Sequence, residues 1–281
     1  MNHKKSNSKI ILFYFAGMRS YLLYKDILER RPDIFDCVIR MPAIPYKRST
    51  GKRDIRKIFK VLLDSPGFFF MHLFTVKIFN LLTNIFNTSI RDICSKNKID
   101  YYSYNKIDQN LIDFIRNKKP VWIISSTSTI LTKDFIEIPL HGVINFHEAP
   151  LPQYKGSASY FWFIVNHEKF ANTTVHYVSE GLDTGDIIYE GPEVVVNQPT
   201  VFTLWLKMLL SHKNSWDYLL PYLIDGRAIP SFKQPKNDFK AYSYPDKKSI
   251  NDYSSKIIFI SYIDIVFIVK TAIKGIIVKI K

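Results

Sequence analysis

The sequence has few of the residues on which disulfide-bonded domains and metal sites depend. Its 281 residues include two cysteines and 10 glycines. Cys37 and Cys94 lie in hydrophobic or helical-looking stretches without disulfide or metal-ligand spacing, so we expect reduced thiols in a cytoplasmic protein. No cluster of histidine and cysteine has ligand spacing, and we expect no metal. The glycines form neither a P-loop nor a dinucleotide-binding fingerprint, which argues against those two ways of binding a nucleotide.

Acidic residues are also scarce relative to basic ones. The chain has 25 Asp and Glu against 39 Lys and Arg, a formal net charge of +14. A field of this sign attracts nucleic acid, nucleotide conjugates, polyglutamylated cofactors or acidic lipid, and does not choose among them. The charge is concentrated in residues 45–60 and in the tail from Lys247 onward. Many lysines in a chain rich in Ile and Asn are also what a biased genome produces.

Two apolar segments bear on membrane contact. No secretory signal is expected, because the polar start MNHKKSNSK leads into a strand rather than an apolar run with a cleavage site. Residues 65–87 carry one formal charge, Lys77, but they also hold three asparagines, which favours a buried core helix over a spanning one. Residues 254–281, interrupted by Asp264 and Lys270, are expected either to pack on the rest of the chain or to lie on anionic membrane.

Short apolar runs alternate with segments of helical periodicity. KIILFYFAG (9–17), VWIISS (121–126) and GVINF (142–146) have the continuous apolar character of strands buried on both faces. The alternation predicts an α/β fold, a Rossmann-like, mostly parallel sheet flanked by helices. Residues 201–226 are expected to form a helix that is broken or kinked near Pro221. A shift in composition at Arg227 predicts a catalytic domain, 1–226, and a small C-terminal region, 227–281.

One strand ends in a polar pair that faces a loop. In VINFHEAPLPQYKG (143–156), Asn145 and His147 are two residues apart on an extended segment, so their side chains point the same way. Ligands of parallel α/β sheets collect beyond the carboxyl ends of the strands. The prolines and glycine that follow keep regular structure from covering the pair. A second loop, SEGLDTGDII (179–188), brings Asp183 and Asp186 to a sheet end.

An amide, an imidazole and a carboxylate in one cleft suit acyl transfer. Asn145 can donate to a developing oxyanion, His147 can move a proton, and Asp183 can orient or stabilise the imidazole. No seryl or cysteinyl nucleophile stands in an elbow motif, so we expect the amine of a substrate to attack directly. His176, in TTVHYV, is expected to pack or to support the site rather than to react.

These motifs resemble those of the N10-formyltetrahydrofolate-dependent formyltransferase family. INFHEAPLPQYKG and GLDTGD correspond to the family's Asn-x-His, Leu-Pro-x-Tyr/Trp-x-Gly and Leu-Asp-x-Gly segments, and the interval from His147 to Asp183 is 36 residues. The resemblance covers roughly residues 9 to 200. It implies Asn145, His147 and Asp183 as catalytic residues and N10-formyltetrahydrofolate as cosubstrate, without a metal. By the same resemblance the pterin would contact Ser126, Thr127, Ser128, Ile130, Gly181, Leu182 and Asp186.

The loop after His147 bears on the acceptor. Methionyl-tRNA formyltransferases carry a Ser-Leu-Leu-Pro-Arg-Trp-Arg-Gly loop there, and Glu148 and Ala149 depart from it. The QYKG segment and the short C-terminal region resemble the branch that formylates nucleotide-linked amino sugars for surface glycans, including O-antigen and lipopolysaccharide. Candidate substrate-binding residues are Arg19, Glu148, Tyr154, Lys155 and Tyr244.

Two other functions stay open at this point. One is formylation of methionyl-tRNA, for which the positive charge is suggestive and a steep salt dependence would be the sign. The other is a non-catalytic module with a formyltransferase-like fold that binds at a membrane or in a glycan pathway. A homodimer is a further expectation, through the aromatic-rich helices and the tail.

Overall fold

The described part of the chain contains a sheet of seven strands. The computed structural model describes residues 9–42, 55–126, 131–235, 239–253 and 257–275. In the sheet the strands follow the order β3-β2-β1-β4-β5-β7-β8, and a separate pair joins β6 to β9. The strands are β1 (Ile10–Phe15), β2 (Phe35–Met41), β3 (Asp100–Ser103), β4 (Trp122–Ser126), β5 (Val143–His147), β6 (Phe170–Ala171), β7 (Thr174–Tyr177), β8 (Ile187–Glu190) and β9 (Val194–Val195).

Helices cover both faces of the sheet. They are α1 (Met18–Arg30), α2 (Ile55–Asp64), α3 (Pro66–His72), α4 (Phe79–Ile85), α5 (Ile90–Lys96), α6 (Gln109–Lys118), α7 (Lys133–Ile136), α8 (Ser159–Val165), α9 (Val201–Ser211), α10 (Lys213–Asp225), α11 (Lys247–Asp252) and α12 (Tyr262–Lys274). A 3₁₀ turn occupies Pro32–Ile34, and a π-helical segment, Leu73–Ile78, joins α3 to α4.

Continuous apolar strands explain the two-sided core. Alternate residues of β1 belong to different apolar clusters, Ile10 and Leu12 to one face and Ile11 and Phe13 to the other. All four are fully buried, as expected for a parallel strand between two helical layers. The predicted fold class, a Rossmann-like and mostly parallel sheet, is confirmed. Cys37 and Cys94 are buried in this core, and burial raises the pKa of each thiol to about 12.

The strand order places a cleft at the middle of the sheet. Strand β1 pairs in parallel with β2 on one side and with β4 on the other, so the direction of winding reverses between β1 and β4. Ligands of open α/β sheets bind outside the carboxyl ends of the strands at such a reversal. Strand β5 continues the parallel part, whereas β7 and β8 are antiparallel.

The predicted break near Pro221 is wrong. The chain turns at His212, between α9 and α10, and α10 continues through Pro221 to a left-handed cap at Gly226. A proline inside a helix lacks the N–H of one backbone hydrogen bond. The flanking Leu219 and Leu223 are fully buried, and their packing stabilises the helix across that position.

The prediction of a buried core helix at residues 65–87 is only partly right. Phe68, Met71 and Phe79 are buried, but Leu81 and Ile85 are more than half exposed. Within the described residues, the helical stretch Pro66–Lys96 is long and apolar enough to cross a membrane by length and composition alone, with 28% of its most apolar window buried.

Residues beyond 226 pack against the rest of the chain. Phe232 exchanges backbone hydrogen bonds with Ile187, and Tyr242 pairs with the loop at Lys155–Ser157. Asp264, in the first turn of α12, accepts hydrogen bonds from Ser261, Thr200 and Thr203, which satisfies a carboxylate that is 4% exposed.

Candidate active site

A cavity of about 290 Å³ opens at the carboxyl ends of β1, β4 and β5. Helix α3 and the π-helical segment form its opposite wall through Met71, Thr75 and Val76. The residues that line it include Arg19, Ser126, Asn145, His147, Glu148, His176, Gly181, Leu182, Asp183 and Tyr244. The cleft expected from the strand order is therefore present, and both side chains of the Asn-x-His pair reach it.

His147 is held by the loop that follows it. It is 7% exposed, and its Nε2 lies 2.7 Å from the carbonyl oxygen of Tyr154, to which it donates. A neutral ring that carries its proton on Nε2 has its lone pair on Nδ1. This Nδ1 lies 4.0 Å from Oδ2 of Asp183. The atom of His147 that can exchange a proton with a substrate is therefore Nδ1.

Asp183 is fixed by its own unusual backbone and by two loops. It has φ 51°, a left-handed conformation that aspartate tolerates better than most residues. Its Oδ2 accepts the Gly156 N–H at 2.8 Å, and Gln234 donates to its backbone carbonyl at 2.9 Å. A Cβ on Gly156 would stand 2.1 Å from the Tyr242 carbonyl oxygen, so only glycine fits there. The carboxylate is thus held between the two motif loops.

His176 fixes the Asn145 amide, a role that the sequence did not predict in detail. The two residues are cross-strand partners on β5 and β7. His176 Nδ1 donates to the Tyr177 carbonyl at 2.8 Å, so Nε2 accepts from Asn145 Nδ2 at 3.1 Å. Burial lowers the pKa of His176 to about 4, which keeps the ring neutral and able to accept. The second Nδ2 hydrogen of Asn145 is then available to the cavity.

The buried histidines make the fold sensitive to acid. Burial also lowers the pKa of His212, whereas a histidine in an unfolded chain titrates near pH 6.5. As the pH falls from about 6.5 towards 4, these two histidines therefore become protonated in the unfolded chain but stay neutral in the native state. We expect the free energy of unfolding to fall through this window.

The test is the loss of melting temperature between pH 7 and pH 5. This loss should be smaller in His212→Gln than in the parent, and it should equal that of the parent in the exposed control His167→Asn. Equal losses in all three proteins would contradict the assignment.

Arg19 and Glu148 line the cavity as an ion pair. Arg19 Nε lies 2.9 and 3.1 Å from the two carboxylate oxygens, and the guanidinium also donates to the Phe146 carbonyl at 2.5 Å. Arg19 and Glu148 were both predicted to bind the substrate. In the structure Arg19 forms an ion pair with Glu148, so the two side chains line the cavity as a neutral polar pair rather than as an isolated cation.

The other predicted residues divide into three sets. Ser126, Gly181, Leu182 and Tyr244 line the cavity, whereas Thr127, Ser128 and Ile130 lie outside the described residues. Tyr154, Lys155 and Asp186 do not line it. Tyr154 is 6% exposed, and its hydroxyl donates to Glu168 while its ring stacks on Tyr242. Lys155 and Asp186 contribute backbone carbonyls to pairing with Tyr242 and Tyr177. All three support the loops around the site without facing it.

Sequence reasoning missed the wall formed by α3 and the π-helical segment, and it gave His176 only a general packing or supporting role. A signal for His176 existed, because it alternates with Thr174 on a strand and precedes Asp183 by one short loop. No comparable signal existed for Met71, Thr75 and Val76, whose apolar segment has the composition of a core helix. The assembled site is an amide, an imidazole and a carboxylate beside a ligand-sized cavity, a set suited to acyl transfer.

Known proteins with these features are formyltransferases. Residues 83–212, just under half of the chain, match the profile of the family described as Formyl transferase. The methionyl-tRNA formyltransferase of Clostridium tetani is 32% identical over 165 residues, which are 57% of this chain and 52% of that protein. The chain thus spans about half the length of this relative.

Solved structures of the same fold include one named as a sugar formyltransferase and one solved with a sugar nucleotide. A sugar 3N-formyl transferase, solved with dTDP and 5-N-formyl-THF, superposes with a TM-score of 0.54 at 17% identity, covering 87% of this chain and 72% of that one. The N-formyltransferase from Helicobacter canadensis, complexed with folinic acid and dTDP-3-aminofucose, gives a TM-score of 0.55 at 18% identity, covering 86% and 72%. At these identities the likeness concerns the fold.

Proposed function

We propose that this protein transfers a formyl group from N10-formyltetrahydrofolate to the primary amine of a nucleotide-linked amino sugar, in the cytoplasm and for a surface glycan. The observation that carries the formyl transfer is the meeting of Asn145, His147 and Asp183 at one cavity between the two motif loops. A binding module needs no such set, because recognition alone does not require an oxyanion donor beside a proton carrier and a carboxylate.

The geometry supports a direct displacement. The amine attacks the formyl carbon, the carbon–N10 bond breaks, and the proton lost by the amine goes to N10, which gives tetrahydrofolate and a formamide. The second Nδ2 hydrogen of Asn145 is placed to donate to the oxyanion that forms during attack. His147 Nδ1 carries the proton, and Asp183 stabilises the imidazolium while the proton is on the ring.

A second cavity supports a nucleotide-linked acceptor. It has a volume of about 210 Å³ and shares its Ala16–Gly17 wall with the first cavity. Arg40 and Arg91 line it, and no Asp or Glu does among the described residues. Within the residues that the structure describes, neither arginine forms an ion pair with a carboxylate. Because guanidinium groups bind phosphate well, we place the diphosphate of the acceptor here, with its amino sugar reaching across Gly17.

Methionyl-tRNA is the second candidate acceptor. The observation that favours it is the name of the curated relatives, which share up to 40% identity over parts of their length. The net charge of +14 would serve a nucleic acid as well as a nucleotide. Against it, Glu148 places a carboxylate in the loop beside the acceptor, paired with Arg19.

The test is tetrahydrofolate release from N10-formyltetrahydrofolate with a panel of dTDP- and UDP-linked amino sugars, glycinamide ribonucleotide and methionyl-tRNA. We expect turnover with one nucleotide sugar. We further expect Arg40→Ala and Arg91→Ala to raise KM for that substrate by about 10-fold or more, since a hydrogen bond to a charged group contributes about 1.5–3 kcal/mol.

Arg116→Ala, on helix α6 and outside the lining of both cavities, is the matched control and should leave KM unchanged. Turnover with tRNA alone would replace the proposed acceptor while keeping the chemistry. Turnover with a nucleotide sugar at an unaltered KM in both arginine variants would remove the diphosphate from the second cavity. No turnover with any amine, in a protein that binds the folate, would favour the non-catalytic alternative.

A further inference from the structure

Two helical stretches run side by side on the surface of the molecule. Helix α12 packs along the π-helical segment and α4. At one end, Gly67 lies against the Phe259 ring, and at the other the Thr88 hydroxyl donates to the Ala272 carbonyl at 2.6 Å. The contacts therefore align residues 67–88 with residues 259–272 in the same direction.

Both stretches present an outer stripe of apolar and basic side chains at helical spacing. On the first the stripe is Phe70, Lys77, Leu81 and Ile85, and on α12 it is Ile263, Val266, Lys270 and Ile273. We call these eight residues the two-helix face. Leu81 is 56% exposed, Ile85 60% and Ile263 70%. Exposed branched apolar residues repeated in this way mark an interaction surface rather than scattered surface variation.

The exposure is not a sign of loose packing. The opposite sides of the same helices are buried, with Phe79 at 1%, Ile268 at 0% and Thr271 at 0% exposed. Met71 and Thr75 face the catalytic cavity. A stretch whose inner side packs on the core and lines the active site does not cross a bilayer, although its composition would permit it. It is suited to lie flat against a surface.

The charge on this face has one sign. Residues 66–88 contain no Asp or Glu. The one acidic residue of α12, Asp264, is buried and bonded to Ser261, Thr200 and Thr203. Lys77 and Lys270 are exposed and form no ion pair within the described ranges. A second copy of the chain would therefore bring lysine towards lysine with no carboxylate between them, whereas a negatively charged surface is complementary.

We propose that the two-helix face binds the surface of an anionic phospholipid bilayer, with Leu81, Ile85, Ile263 and Ile273 entering the boundary between head groups and acyl chains and Lys77 and Lys270 contacting lipid phosphates. Amphipathic helices bind membranes in this way through apolar area and electrostatic attraction together. The inference is independent of which amine the enzyme formylates.

The experiment is flotation of the full-length protein with vesicles of phosphatidylcholine alone or with one-third phosphatidylglycerol, at low and high salt. We expect binding to the anionic vesicles only, weakened by salt. Lys77→Glu/Lys270→Glu should weaken it at least about 10-fold, because each basic residue near such a surface contributes about 1 kcal/mol and the reversal adds repulsion. Lys169→Glu/Lys213→Glu has the same net charge, changes exposed lysines elsewhere and should bind as the parent does.

A second variant tests the apolar part without a change of charge. Leu81→Ser/Ile263→Ser should reduce binding to anionic vesicles while its melting temperature stays near that of the parent, because both side chains are already exposed. Equal binding to neutral vesicles, or equal loss in the two glutamate variants, would overturn the proposal. A third result would also overturn it: the protein is a dimer that does not bind vesicles, and Leu81→Asp converts it to a monomer. In that case a second copy of the chain would cover the two-helix face.

Discussion

Replacing His147 by alanine is expected to lower kcat for formyl transfer by about 10²- to 10⁴-fold, the range typical of a lost proton carrier. The reason is that His147 and Asp183 both line the cavity, with Nδ1 of the ring 4.0 Å from Oδ2 of the carboxylate. The measurement is tetrahydrofolate release in single-turnover conditions, with folate binding followed separately. Binding of the folate should change much less than the rate.

His147→Gln separates chemistry from loop support. The alanine variant also removes the donor to the Tyr154 carbonyl, which could loosen the loop at residues 148–156. A glutamine can place its Nε2 near the position of the histidine Nε2 and keep that donor, while it has no atom that titrates. We therefore expect the glutamine variant to be as slow as the alanine variant. A glutamine variant with near-parental kcat would refute proton transfer by His147.

Asp183→Asn is expected to lower kcat by a comparable factor, about 10²-fold or more, with the fold retained. The substitution removes the negative charge that stabilises a protonated His147. It keeps an oxygen able to accept the Gly156 N–H, and asparagine tolerates the left-handed backbone at φ 51°. Loss of rate can therefore be assigned to charge rather than to collapse of the loop.

The controls for Asp183 are stability and a second substitution. Asp183→Ala removes the acceptor for Gly156 as well as the charge, so it should be less stable than Asp183→Asn and no more active. Equal melting temperatures of the parent and the asparagine variant, measured alongside the rates, would secure the assignment. A fully active asparagine variant would show that the carboxylate serves the loop alone.

The fold and the central pair of the site could be predicted because their signals are local. Apolar runs of strand length between helical segments are enough to indicate a parallel sheet. The alternation of Asn145 and His147 places both on one face of a strand whatever the rest of the chain does. The break predicted at Pro221 was wrong because a helix tolerates one missing hydrogen bond where its leucines are buried. Burial is a property of the tertiary structure and cannot be read from the proline alone.

The rest of the site depends on contacts that sequence patterns do not encode. The pairing of Arg19 with Glu148 joins residues far apart in the chain, so the sequence shows two charged residues and not their mutual neutralisation. The wall formed by Met71, Thr75 and Val76 comes from a helix whose composition predicts burial. The inner side of that helix packs on the core and lines the cavity, whereas its outer side has no partner among the described residues.

The antiparallel pairing of β5 with β7 ties the site to the edge of the sheet. Asn145 faces His176 across this ladder, and among the described strands β8 alone lies beyond β7 in the main sheet. Edge elements of a domain open locally at a lower free energy than its central strands. A brief separation of β7 from β5 would release the Asn145 amide while the five parallel strands stayed intact. If Asn145 donates to the oxyanion as proposed, we expect the amide exchange rates of β7 to report how often that donor is lost.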